Sequence, residues 1–183
     1  MMMLAMVLVV LTTDMGKIEL QLDQVHAPLT TANFMQYVSD GFFDGGGFVR
    51  TVTSTNQPMD KVKISVIQAT ANLQQKETDP AVKLERTSVT GLKHKDGTVS
   101  MARSAPDTAT VDFFICVGDQ PELDFGGKRN PDGQGFAALG HVVAGMDVVL
   151  AIQASAATDE QLTTPAVITG VQLLDAVPAM CRR

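Results

Sequence analysis

The chain has 183 residues, of which 45% are apolar and 19% charged, with 14 Lys and Arg against 20 Asp and Glu for a formal net charge of −6. That length holds one well-buried core, and the composition excludes a disordered chain. No block of Lys or Arg stands out, which argues against nucleic acid or an anionic membrane surface as a partner.

The opening stretch, MMMLAMVLVVLTTDMG, has no basic residue ahead of its apolar run, and the run is too short to span a membrane. It reads as a buried strand. The expected compartment is cytoplasmic, or periplasmic if the natural start lies upstream or a precursor was trimmed. Strands at 7–12 and 18–22 flank the turn Asp14-Met15-Gly16 and predict a hairpin. Pro28 suits a first helical position; a helix over 29–38 follows, with Phe34 and Val38 on one face and Gly41 as its stop. Further strands are expected at 48–52, 64–68, 99–102, 113–117, 136–143 and 166–174. A second helix is expected at 145–152, where Met146, Val149 and Ile152 share a face. The stretches 53–63, 71–96 and 124–135 are rich in turn formers and read as loops. About eight short strands favour a barrel or sandwich, with the two helices placed to plug the mouths of a closed barrel.

No cofactor or metal is expected. His26, His94 and His141 are scattered and no CxxC occurs; Gly45-Gly46-Gly47 precedes a strand without the Lys-Ser/Thr of a phosphate loop. Cys116 and Cys181 read as free thiols in preference to a disulfide.

Several segments together resemble cyclophilins. They are Thr12 to Leu20, Ala27-Pro28 with Ala32-Asn33-Phe34, Phe48-Val49-Arg50, Ser100-Met101-Ala102-Arg103, Asp112-Phe113-Phe114-Ile115, Leu123-Asp124, and Leu139 to Val149. They run in family order over nearly the whole chain. The resemblance implies a mainly β fold, a closed eight-stranded antiparallel barrel capped by two α-helices. It implies a single domain over 1–183, with a core of 7–174 and a tail of 175–183. The loops at 56–58 and 126–135 resemble those of a bacterial subgroup.

The function implied is peptidyl-prolyl cis-trans isomerisation of proline-containing polypeptides, assisting folding, by a monomer without cofactor. Arg50 matches the family arginine that donates toward the prolyl nitrogen, and Gln68 the glutamine that orients it. Both are expected to be catalytic. Phe114 matches the floor of the proline pocket, completed by Leu123 and by Phe136. Being adjacent on a strand, Phe113 and Phe114 face opposite ways. Met101, Ala102 and Arg103 are expected to line the groove, with Phe48, Asp112 and Val66 counted at the substrate as well. The apolar pocket residue ahead of Gln68 falls at Ser65 or Val66.

There are departures from the family pattern. Val49 replaces a histidine, Asp112 a glutamine, Leu139 a phenylalanine, and Glu122 the tryptophan that contacts cyclosporin, so weak cyclosporin binding is expected. The pocket histidine has no match. Ala69-Thr70 stands where two glycines are usual, and would be strained in a positive-φ turn. These changes imply reduced activity, and they leave open a non-catalytic peptide-binding or chaperone module on the same barrel. A hydrolase using Cys116 or Asp-His chemistry is disfavoured, because Cys116 lies in a buried-looking strand and no histidine is placed by sequence beside it.

Overall fold

The N-terminal hairpin forms as β1 (Val7–Thr13) and β2 (Gly16–Leu22) in the computed structural model, whose described residues are 7–72 and 78–175. The pair runs in register from Val7↔Leu22 to Thr13↔Gly16. Alternate side chains point inward, among them Val9, Leu11, Ile18 and Leu20. Seven more strands follow: β3 (Gly47–Val52), β4 (Val66–Thr70), β5 (Thr98–Met101), β6 (Phe113–Cys116), β7 (Ala138–Ala144), β8 (Ala157–Thr158) and β9 (Gln161–Asp175). Their order is β1-β2-β7-β5-β6-β4-β3-β9, and pairing of β1 with β9 closes an eight-stranded antiparallel barrel. The short β8 is added on β9.

Among the described residues, three α-helices accompany the barrel: α1 (Pro28–Ser39), α2 (Thr87–Thr90) and α3 (Met146–Gln153). α1 opens on Pro28, whose missing N–H has no helical partner to lose. Its Phe34 ring packs 5.3 Å from Phe43 and 5.2 Å from Phe113. α3 buries Val149 and Ile152 and packs against β2, β3 and β4. The single-turn α2 lies within a stretch expected to be loop. Among the described residues, no helix is long and apolar enough to cross a membrane.

The barrel differs from the sequence expectation in β4, β9 and β7. β4 starts at Val66, not 64, because the two preceding N–H groups are taken elsewhere: Ile64 N donates to Gln57 Oε1 (3.3 Å) and Ser65 N to Gln120 Oε1 (3.0 Å). The same strand runs on through Ala69 and Thr70, which pair with Phe48 and Gly47; no turn forms there, and neither residue has positive φ. Here the glycine requirement sits on the facing chain, since a Cβ on Gly46 would fall 2.5 Å from the Thr70 carbonyl oxygen. β9 begins at Gln161, ahead of Pro165. Its pairing with β3 jumps from Phe48↔Ala166 to Arg50↔Gln161, so the proline, which has no N–H to give to a ladder, lies in the irregular stretch. β7 starts at Ala138, leaving Phe136 in the preceding loop.

Two apolar clusters result. The large one fills the barrel and includes Phe34, Phe43, Phe48, Met101 and Phe113. The smaller one joins Val52, Ile64, Val66, Phe114, Cys116 and Leu123 on the other side of the same strands, with Phe136 and Ala102 against it. The expected tail beyond Asp175, including Cys181, lies outside the described residues.

Candidate active site

Sheet register builds the site. Arg50 on β3 faces Gln68 on β4, and Gln68 faces Phe114 on β6, so the three side chains form one transverse row on one face. The ladder shifts between Phe48 and Arg50, a bulge at Val49 that re-aims the arginine. Arg50 Nη1 donates to Gln68 Oε1 (2.9 Å). Its Nε donates to Glu160 Oε2 (2.7 Å), and Nη2 donates to the same oxygen. A guanidinium has five N–H donors, and this pattern leaves one free on each Nη.

The row borders a cavity of about 420 Å³. Ile64, Val66, Phe114, Leu123 and Phe136 supply its apolar side, Arg50 and Gln68 a polar edge, and Ala102, Arg103 and Asp112 the far wall. Phe136 stands edge-on to Phe114, ring centroids 5.4 Å apart. Phe48 and Met101 are not brought to this cavity. Both are buried in the barrel core, on the opposite side of their strands from the cavity residues.

The wall is braced from outside. The Arg103 side chain is 1% exposed; it makes a two-pronged pair with Asp132 (2.8 and 2.9 Å), donates from Nε to the Gly135 carbonyl (2.8 Å), and lies 5.1 Å over the Phe136 ring. The Arg103 hydrogen bonds hold the Asp132 carboxyl below its ordinary range. Arg129 reaches back to the loop over 53–63, donating from Nη1 to Gln57 Oε1 (2.8 Å) and the Val62 carbonyl (2.7 Å), with Asp60 3.3 Å from Nη2. Glu122 accepts from Lys128 N (2.7 Å) and so anchors this loop.

Beneath Phe114 lies His94, which is buried and stacked against it at 6.0 Å, 16° from parallel. His94 Nδ1 donates to Asp124 Oδ1 (2.8 Å), and the Ser100 hydroxyl is 2.9 Å from Nε2. Burial raises the affinity of Asp124 for its proton, but the His94 side-chain and backbone hydrogen bonds outweigh it and hold the carboxyl below its usual value. Acid, imidazole and hydroxyl are in line, yet Ser100 is fully buried and does not line the cavity, so it meets no substrate. Burial likewise pushes the Cys116 thiol far up, with Asp124, Asp96 and Asp119 adding to the shift. A fully buried thiol with raised proton affinity is a poor nucleophile, which argues against a hydrolase built on Cys116.

Reasoning from sequence missed Glu160, Arg129 and His94. Glu160 sits between β8 and β9 in a stretch with no motif, and only folding brings it to Arg50. Arg129 lies in a turn-rich loop where a lone basic residue carries no signal. A pairing of His94 with Asp124 spans 30 residues of irregular chain, beyond the reach of periodicity.

A mainly antiparallel closed barrel with an Arg–Gln pair over an aromatic-floored cavity defines a cyclophilin-like protein. The family model for cyclophilin type peptidyl-prolyl cis-trans isomerases matches residues 8–173, and the chain belongs to that family. It is 40% identical over 144 residues to peptidyl-prolyl cis-trans isomerase A of Dickeya dadantii, covering 76% of this chain and 67% of that protein. To peptidyl-prolyl cis-trans isomerase B of Escherichia coli it is 35% identical over 141 residues, covering 75% and 78%. In fold it is similar to a cyclophilin type isomerase of Cryptosporidium parvum crystallised in the presence of the dipeptide Ala-Pro, with a TM-score of 0.73 at 16% identity over 91% of this chain and 98% of that one.

Proposed function

We propose that this chain catalyses rotation about Xaa-Pro peptide bonds in flexible polypeptides, assisting their folding, and that Arg50 is the principal catalytic group. The observation that carries the reading is the Arg50–Gln68 hydrogen bond beside the Phe114 floor. Conjugation gives the amide a rotational barrier of ~18–20 kcal/mol. At the twisted midpoint the prolyl nitrogen regains its lone pair and accepts a hydrogen bond that the planar form cannot. A free Arg50 N–H offers that bond in the twisted state alone, which is the condition for lowering the barrier. Taking exchange from ~100 s to ~0.1 s asks for about 4 kcal/mol, within the range of one aligned charged donor in a water-poor site.

The apolar cluster of Val66, Phe114, Leu123 and Phe136 receives the proline ring. Gln68 holds Arg50 through its carbonyl and keeps its own N–H₂ for the substrate backbone. Ala102, with a small side chain, lets the peptide backbone come close, and Arg103 shapes the wall without offering its charge. Asp112 supplies an acceptor at the far edge. Phe48 and Met101 support the site from the core. With Glu122 in the loop anchor, cyclosporin binding is weak. The protein acts as a monomeric single domain, in the cytoplasm.

Cis/trans exchange of a short Ala-Pro peptide, followed by NMR with the wild type and with Arg50→Ala, tests the proposal. Fast exchange with the wild type and near-spontaneous exchange with the variant supports it. Spontaneous-rate exchange with folded wild type, across several residues before proline, leaves a peptide-binding module without catalysis.

A further inference from the structure

Three arginines and one carboxylate line the cavity: Arg50, Arg103, Arg129 and Asp112. Each arginine meets a carboxylate that lies outside the lining. Glu160 holds Arg50, Asp132 holds Arg103, and Asp60 faces Arg129. Asp112 is different. Among the described residues its side chain makes no hydrogen bond or ion pair, while its backbone carbonyl is fixed by the Ala102 N–H at 2.9 Å. Ser104, Thr108 and Thr110, all uncharged, line the same cavity. The cavity therefore presents one uncompensated negative charge, in spite of its three cations.

We infer that Asp112 is a specificity determinant, selecting substrates with Lys or Arg within two residues of the proline. The inference rests on the isomerase reading and deepens it. Asp112 and Phe114 are two residues apart and both face the cavity, which puts the carboxylate about 7 Å along the strand from the proline floor. An extended substrate advances by the same ~3.3 Å per residue, so one within two positions of the proline reaches it, and the long stem of Lys or Arg spans the remainder. Basic side chains gain an unshared partner there, and acidic ones meet a like charge.

The experiment uses peptides with Lys, Ala or Glu placed before or after the proline. Catalysed exchange and backbone-amide shift titrations are both measured for the wild type, Asp112→Asn and Asp112→Glu. A wild-type Lys-over-Glu preference of about tenfold is expected, shrinking with added salt. It falls to about unity in Asp112→Asn and persists in Asp112→Glu. Equal handling of Lys and Glu peptides by the wild type, or a preference that Asp112→Asn keeps, overturns the inference. So does a wild-type preference that added salt leaves unchanged, an outcome that needs no variant to read. Should no peptide show catalysed exchange, the isomerase reading fails alone, because the titrations still read the Lys-to-Glu affinity ratio.

Discussion

Phe113 and Phe114 are chain neighbours on β6, and they belong to different parts of the molecule. Phe113 points into the barrel, where Phe34, Phe43 and Phe48 stand edge-on to it at 5.2, 5.3 and 5.9 Å. Phe114 points out, onto His94 on one side and the open cavity on the other. A pleated strand thus divides its residues by parity: Phe113 is packed within the barrel, and Phe114 lines the cavity. The two faces share a backbone but have different neighbours, so substitutions on them should separate stability from activity.

The largest effect is expected at Phe113. Phe113→Ala removes a ring held on all sides and costs about 3–5 kcal/mol in chemical denaturation. A loss under about 1 kcal/mol would mean that the barrel face is not the stabilising one. Arg50→Ala should show the opposite profile, with catalysed exchange down about 100-fold or more and stability changed by about 1 kcal/mol or less, since its pair with Glu160 is partly exposed. Glu160→Gln comes next. It removes the charge that orients the guanidinium while keeping the shape, so kcat falls about 3–10-fold with KM nearly constant. A fall in folded stability without a change in kcat would make Glu160 a structural residue only.

A smaller effect is expected from acid. Asp124 has its proton affinity lowered in the folded chain, because the His94 hydrogen bonds more than offset its burial. A depressed folded value means that the contribution is present above the unfolded value and is lost as pH falls through the folded one. Denaturation midpoints should therefore be steady near neutrality and drop below about pH 4, where an ordinary aspartate takes up its proton. Asp124→Asn should flatten that drop; an identical acid limb in the variant would break the link. The smallest effect concerns Cys116, buried behind Phe114 with its thiol held protonated. Peptide mapping after alkylation at mild alkaline pH should find it unmodified until the chain is unfolded.

Much of this division is legible in the sequence. Period-two alternation places Phe113 and Phe114 on opposite faces, and motif order places Arg50, Gln68, Phe114 and Leu123 around one cavity. What escapes are contacts that depend on three-dimensional return of the chain. Phe48 and Met101 lie in motifs that flank the groove, but the pleat turns both inward. The strand expected at 166–174 begins earlier, at Gln161, because a bulge accommodates Pro165. Ala69-Thr70 looks strained on the assumption of a turn, and the chain instead extends β4 and puts its close-approach glycine, Gly46, just ahead of β3.

Arg129 ties the loop over 126–135 to Gln57, Val62 and Asp60 in the loop over 53–63. For anyone grafting parts between barrels of this kind, the two insertions are a single cassette. Moved together they carry their own fastening; moved one at a time, they leave a guanidinium or a set of acceptors stranded at the rim, and the graft loses the wall it was meant to bring.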